Sequence, residues 1–234
     1  MKILDNYQQL FSELVSIIES ELAKGSSGAL GFCGGRSIRP LYEQLLENPD
    51  SISSENWKKL QFFLVDERLV SVGSTESNFL QLEKELLEPL REKSLISSKQ
   101  SHPALKENCD AESLVELYQD ALHANGKELL VAFLGVGEDG HVASLFPSRL
   151  AGMSESGINQ QDFLLVEDSP KPPARRISAS PNLLRRAKHV FLIFSGSAKR
   201  QAWDNFNNPE LDIDDCPAKL FFGQGNLNCL VNLA

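Results

Sequence analysis

The residues best suited to chemistry lie together in Val131 to Pro147, VAFLGVGEDGHVASLFP. His141 follows Gly140, Asp139 lies two residues upstream, and Gly135 and Gly137 precede both. An imidazole titrates in the neutral range, so it can take a proton from water without a metal. A neighbouring carboxylate holds its tautomer and favours the imidazolium that forms, and exposed glycine N–H groups can receive an oxyanion. Glycines also let the backbone turn sharply enough to bring Asp139 and His141 into a crevice. The plain structural alternative is an inert, hydrogen-bonded loop histidine. The flanking glycines and the place after a buried strand favour the catalytic reading.

Gly135 to Gly140 formally matches G-x-G-x-x-G, which invites a dinucleotide site. That site needs a long helix after the third glycine, with the pyrophosphate on its N-terminus. Pro147 follows too closely for such a helix, and the acidic strand end at Glu167-Asp168 lies too far along the chain. No G-x-S-x-G elbow is present, which argues against a covalent serine mechanism. Cys33, Cys109, Cys216 and Cys229 are scattered, with no CxxC pair and no histidine at ligand spacing. Neither a disulfide framework, a metal site nor a redox cofactor is expected, and the thiols suit a reducing, cytoplasmic setting.

Three further polar clusters accompany the histidine. Asp66-Glu67-Arg68 could equally be a strand-end ion pair or an anion clamp, in which Arg68 forks onto phosphate and Asp66 accepts from sugar hydroxyls. Gly34-Gly35-Arg36-Ser37 ahead of a helix is a plausible phosphate cradle, through backbone N–H groups and the Ser37 hydroxyl. Lys171, in Ser169-Pro170-Lys171-Pro172-Pro173, rides on a segment stiffened by prolines, so it loses little entropy on meeting an anion.

The elements that must position these residues alternate. Apolar residues recur at helical spacing from Asp5 to Lys24, with Gly25 as terminator. Ala29 to Cys33 is a short strand, and Ser37 to Leu46 the next helix. Gln61 to Val65 is a strand, Ser77 to Leu87 and Asn108 to Ala124 are helices, and Leu129 to Leu134 is a third buried strand. Phe163 to Val166 and Val190 to Phe194 are two more strands, with a helix from about Ser197 to Asn205. Continuous apolar strands separated by helices predict one α/β domain over residues 1–234, with or without a small accessory lobe. Its sheet is doubly wound, mostly parallel and Rossmann-like, with helices on both faces. Ligands in such sheets bind beyond the carboxyl ends of the strands. The Gly34, Asp66 and Gly135 clusters should therefore converge on one crevice.

Hydrophobic residues make up 41% and charged residues 24% of the 234, a globular balance rather than a disordered one. The longest apolar runs are too short to span a bilayer, and Met1 leads directly into a charged amphipathic stretch with no secretory signal expected. The net charge of −9 disfavours nucleic acid as a partner. Yet Lys171, Arg175, Arg176, Arg185, Arg186, Lys188, Lys199 and Arg200 occur with no intervening Asp or Glu. A local positive patch on an acidic protein suits a small anion, although most of these cations can simply be solvated.

In this order, GFCGGRSIRPLYEQL (Gly31 to Leu45), FFLVDERLV with Glu76-Ser77-Asn78, LGVGEDGHVASLFP (Leu134 to Pro147) and DSPKPPARRI (Asp168 to Ile177) resemble the 6-phosphogluconolactonase family. The resemblance spans nearly the whole chain. It implies a Rossmann-like fold shared with glucosamine-6-phosphate deaminase and ribose-5-phosphate isomerase, with no metal or redox cofactor. It further implies hydrolysis of 6-phospho-D-glucono-1,5-lactone to 6-phosphogluconate in the oxidative pentose phosphate pathway. His141 would activate water and Asp139 would orient the site. Arg68 and Lys171 would hold the phosphate, Gly34, Gly35 and Ser37 would line the pocket, and Asp66 and Arg176 would border it. The partner is thus a small phosphorylated sugar lactone, bound by a monomer or small homo-oligomer. Arg36 stands where the family has a small hydroxyl residue, and Arg185 near where it has an Asn. The alternatives are an amino-sugar-phosphate isomerase/deaminase and a non-catalytic sugar-phosphate sensor.

Overall fold

The computed structural model describes residues 1–23, 27–150 and 161–234. Its strands are β1 (Lys2–Leu4), β2 (Gly28–Phe32), β3 (Leu60–Leu64), β4 (Asp66–Arg68), β5 (Val131–Gly135), β6 (Phe163–Val166), β7 (Arg176–Ala179), β8 (His189–Ser195) and β9 (Leu227–Asn232). Its helices are α1 (Tyr7–Leu22), α2 (Arg39–Glu47), α3 (Ser54–Lys59), α4 (Asn78–Leu82), α5 (Glu88–Glu92), α6 (Ala111–His123), α7 (Pro181–Arg186) and α8 (Arg200–Asn207).

Six strands form a parallel sheet in the order β1-β9-β8-β5-β2-β3. All five residues of β2 are buried, as expected where helices cover both faces of a parallel sheet. Phenylalanines stack across four neighbouring strands: Phe62 on Phe32 at 6.2 Å, Phe32 on Phe133 at 4.9 Å, and Phe133 on Phe191 at 5.4 Å between centroids. Each such pair adds about 0.5–1.5 kcal/mol beyond its area burial. The ladder pins the register of β3, β2, β5 and β8, so their carboxyl ends lie side by side.

The helices follow their apolar spacing and caps. Helix α1 turns Leu10, Phe11, Leu14, Ile17, Ile18 and Leu22 inward, and the Asn6 side chain accepts from Gln9 N at its start. Its expected terminator, Gly25, lies outside the described residues. Asp110 caps α6 by accepting from Ser113 N. The helix expected from Ser77 starts as α4, passes through a π turn at Glu83–Leu87 and continues as α5. Pro89 has no N–H to offer the preceding turn, which accounts for the break in the α ladder there.

One expectation is corrected. Phe163–Val166 does not join the parallel sheet; it lies in a three-stranded antiparallel sheet, β4-β7-β6. Asp66–Arg68, expected as a strand end, is itself a strand of this small sheet, with Asp66 opposite Ser178 and Arg68 opposite Arg176. Only Val65 separates it from β3, and Val65 N still donates to Phe32 O at 2.9 Å. The small sheet therefore hangs from the carboxyl end of β3, beside the glycine turn that follows β2.

Candidate active site

The loop after β5 is closed by its own backbone. Gly137 N donates to His141 O at 2.8 Å, and Gly140 N donates to Gly137 O at 3.0 Å. A Cβ on Gly137 would stand 2.0 Å from His141 Nδ1 and 2.5 Å from Asp139 Oδ1. Gly140 has φ +84°, and a Cβ there would meet Cys216 Sγ at 2.7 Å. These glycines thus let Asp139 and His141 fold back onto their own backbone rather than cradle a pyrophosphate.

Asp139 Oδ1 lies 2.5 Å from His141 Nδ1. An ionised carboxylate can only accept, so Nδ1 donates to Asp139 and Nε2 is left as the ring nitrogen able to take a proton. Lys171 Nζ stands 3.4 Å from His141 Nδ1 and 3.4 Å from Asp139 Oδ2. Partial burial pushes the Asp139 pKa up, but the His141 hydrogen bond and the His141 and Lys171 charges outweigh it, holding the carboxyl well below the usual range. The imidazole packs on Phe146 with centroids 4.6 Å apart.

His141 opens onto a cleft of about 600 Å³ lined by Gly34, Gly35, Arg36, Ser37, Gly135, Val136, Gly137, Glu138 and Ser195 to Lys199. Two helical turns face it: Arg36–Ile38, running into α2, and Ser197–Lys199, running into α8. Each follows a positive-φ glycine, and neither has a side-chain cap. Uncapped turns leave N–H donors for an anion. Burial lowers the Lys199 pKa; the Lys171 and Arg36 charges push the same way, while Glu138 and Asp139 oppose them.

The expected residues are distributed unevenly. Gly34, Gly35, Ser37 and His141 line the cleft, with Asp139 and Lys171 beside the histidine. Gly35 is not a free donor, because Gln81 takes both its N–H, at 3.0 Å, and its carbonyl, at 2.9 Å. Asp66 and Arg176, expected at the border of the pocket, are buried, 7% and 5% exposed, and are not among the residues lining the cleft. Asp66 Oδ2 accepts from Ser144 Oγ at 2.9 Å and faces Arg176 Nη1 at 3.6 Å. Arg68 donates through Nη1 to Glu76 O at 2.6 Å, while its Nε has no partner among the described residues. Glu67 is buried and accepts from Arg68 N, Ser77 Oγ, Asn78 N and Phe79 N, so it caps the start of α4. Ser195 to Lys199 were missed as site residues. Their signal was available: a strand, then glycine and serine, then a helix, as after β2. Among the described residues, no group of three or more His, Cys, Asp or Glu side chains is arranged to hold a metal ion.

A parallel sheet whose glycine turns and cations meet His141 at the strand ends defines an α/β protein with a candidate site beyond the carboxyl ends of its strands. The profile of the family described as glucosamine-6-phosphate isomerases/6-phosphogluconolactonase matches residues 5–229, and the chain belongs to that family. It is 32% identical to a 6-phosphogluconolactonase of Borreliella burgdorferi, over 98% of this chain and 94% of that one. Its fold is similar to the crystal structure of a 6-phosphogluconolactonase from Thermotoga maritima, with a TM-score of 0.79, 23% identity and coverage of 98% and 97%. A monomeric glucosamine-6-phosphate deaminase has the same fold, with a TM-score of 0.75, 16% identity and coverage of 99% and 97%.

Proposed function

We propose that this protein hydrolyses 6-phospho-D-glucono-1,5-lactone to 6-phosphogluconate, in the oxidative pentose phosphate pathway of the cytoplasm, by general-base catalysis. The observation that carries this reading is His141 with Nδ1 committed to Asp139, on the wall of a cation-flanked cleft. The membership of the family and the Borreliella relative supply the substrate class.

In this mechanism Nε2 of His141 takes a proton from water, and the resulting hydroxide attacks the lactone carbonyl carbon. The oxyanion of the tetrahedral intermediate collapses, the bond from that carbon to the ring oxygen breaks, and the imidazolium returns its proton to the leaving oxygen. Asp139 keeps the ring in the required tautomer and offsets the imidazolium charge. Arg68 and Lys171 hold the phosphate, whose binding energy positions the carbonyl for attack. Lys171 reaches the reacting pair, and Arg68 retains an unused Nε donor. Gly34, Ser37 and the Ser197–Lys199 turn contact the sugar, and Arg36 and Lys199 deepen the positive field of the cleft.

Asp66 argues against the isomerase/deaminase alternative. A proton shuttle on an opened sugar needs a strand-end carboxylate in the pocket, whereas Asp66 is buried on Ser144 and Arg176. The test is a pair of assays on the purified protein. Lactone hydrolysis is expected; ammonia release from glucosamine-6-phosphate without lactone hydrolysis would overturn the assignment. Binding of 6-phosphogluconate with no turnover of either substrate would mark a sensor.

A further inference from the structure

Lys171 is carried by a segment with few backbone donors of its own. Pro170, Pro172 and Pro173 have no N–H to give to a ladder, so the carbonyls between them need other donors. Ser169 Oγ supplies one, donating to Lys171 O at 2.9 Å, and Ser169 N closes the loop onto Ala174 O at 2.9 Å. Arg176, at the start of β7, supplies the rest. Its Nε donates to Pro173 O at 3.0 Å, and its Nη2 donates to Lys171 O at 3.0 Å and Pro172 O at 3.3 Å. Only a guanidinium offers enough donors in one rigid plane to meet three carbonyls at once.

The other side of the same guanidinium faces the histidine loop. Nη1 lies 3.6 Å from Asp66 Oδ2, which also accepts from Ser144 Oγ, three residues after His141. The guanidinium carbon sits 5.7 Å from the Phe146 ring centroid, and Phe146 is the ring on which His141 rests. Arg176 thus touches, directly or through one residue, the supports of both Lys171 and His141, while being itself only 5% exposed.

We propose that Arg176 is a positioning residue that fixes the Lys171 backbone, and so places the Lys171 ammonium beside the Asp139–His141 pair. The Asp66–Arg176 pair is the joint that registers the proline loop of the small sheet against the glycine loop of the large one. This inference rests on the reading of Lys171 as the anchor of an anionic substrate.

The test is a double-mutant cycle read in KM and kcat. Arg176→Lys keeps a cation opposite Asp66, but its single ammonium cannot hold three carbonyls. It should raise KM for the phosphorylated lactone roughly tenfold, with a smaller loss of kcat. In a Lys171→Ala background the same change should have no further effect on KM. If Arg176→Lys fails to fold, the doubly neutral Asp66→Asn/Arg176→Gln variant replaces it and should couple to Lys171→Ala in the same way. Effects that simply add in the cycle, or an unchanged KM in a folded Arg176 variant, would overturn the positioning role alone. An unchanged KM in Lys171→Ala would instead remove the anchor, and the proposal with it.

Discussion

The decisive contact at the residue scale is the one between Asp139 and His141, because in the proposed mechanism it decides which nitrogen takes the proton. Replacing His141 with Ala should lower turnover by about 10²-fold or more, the scale of general-base catalysis, with binding of 6-phosphogluconate retained. Turnover unchanged in steady-state assays would remove the base from its role. Asp139→Asn should lower kcat by roughly 10²- to 10⁴-fold, because an amide N–H can donate to Nδ1 and move the ring proton to Nε2. The pH behaviour follows from the depressed Asp139 pKa. Its carboxylate stays ionised on mild acidification, so Asp139 does not set the acid limb of the activity profile. For stability, a carboxyl with a depressed folded pKa contributes fully above its unfolded value of about 3.9, and loses that contribution as pH falls from there toward the folded value. The Tm difference between Asp139→Asn and its parent should therefore narrow as pH falls below about 4. A difference that fails to narrow on acidification would contradict this. The His–Asp pair was legible in sequence because both partners sit in one glycine loop. The buried fates of Asp66 and Arg176 were not, because a charged residue at a strand end reads alike whether it faces ligand or another strand.

What places the pair, at the scale of elements, is a strand end followed by a loop with no room for side chains. Gly137→Ala puts a Cβ where His141 Nδ1 stands, so the ring must leave its bond to Asp139. We expect kcat to fall at least roughly tenfold, a misplacement effect, while Gly225→Ala, with open space around its Cα, leaves kcat unchanged. Equal kcat in both variants would show that the close approach is dispensable. Strands β2, β3, β5 and β8 were legible as apolar runs. β1 is three residues long, β9 is interrupted by Asn228 and Asn232, and β7 begins with Arg176, so none of these stands out by composition. The small antiparallel sheet escaped for the same reason: β4 is Asp66-Glu67-Arg68, three charged residues whose strand conformation comes from pairing with β7 rather than from their own preference.

At the scale of the whole molecule, an acidic protein of net charge −9 concentrates Arg36, Lys171 and Lys199 around one cleft. The parallel sheet makes part of this possible, since Arg36 follows β2 and Lys199 follows β8, the two strands that flank β5. Convergence of the Gly34 and Gly135 turns was predictable from the α/β pattern alone. The Ser195 to Lys199 turn carries the same local pattern as the turn after β2, and it shares the cleft because β8 is the neighbour of β5. A ligand that bridges these turns binds only the folded chain, so it must stabilise the whole. At a concentration of about 100 Kd, 6-phosphogluconate should add about 2.7 kcal/mol, a rise in Tm of roughly 5–10 °C for a chain of this size. His141→Ala should keep that rise, because the base does not hold the phosphate, and Lys171→Ala should lose most of it at the same ligand concentration. Calorimetry of the three proteins thus separates anchoring from chemistry. A rise that vanishes with His141 but survives loss of Lys171 would reverse the two roles.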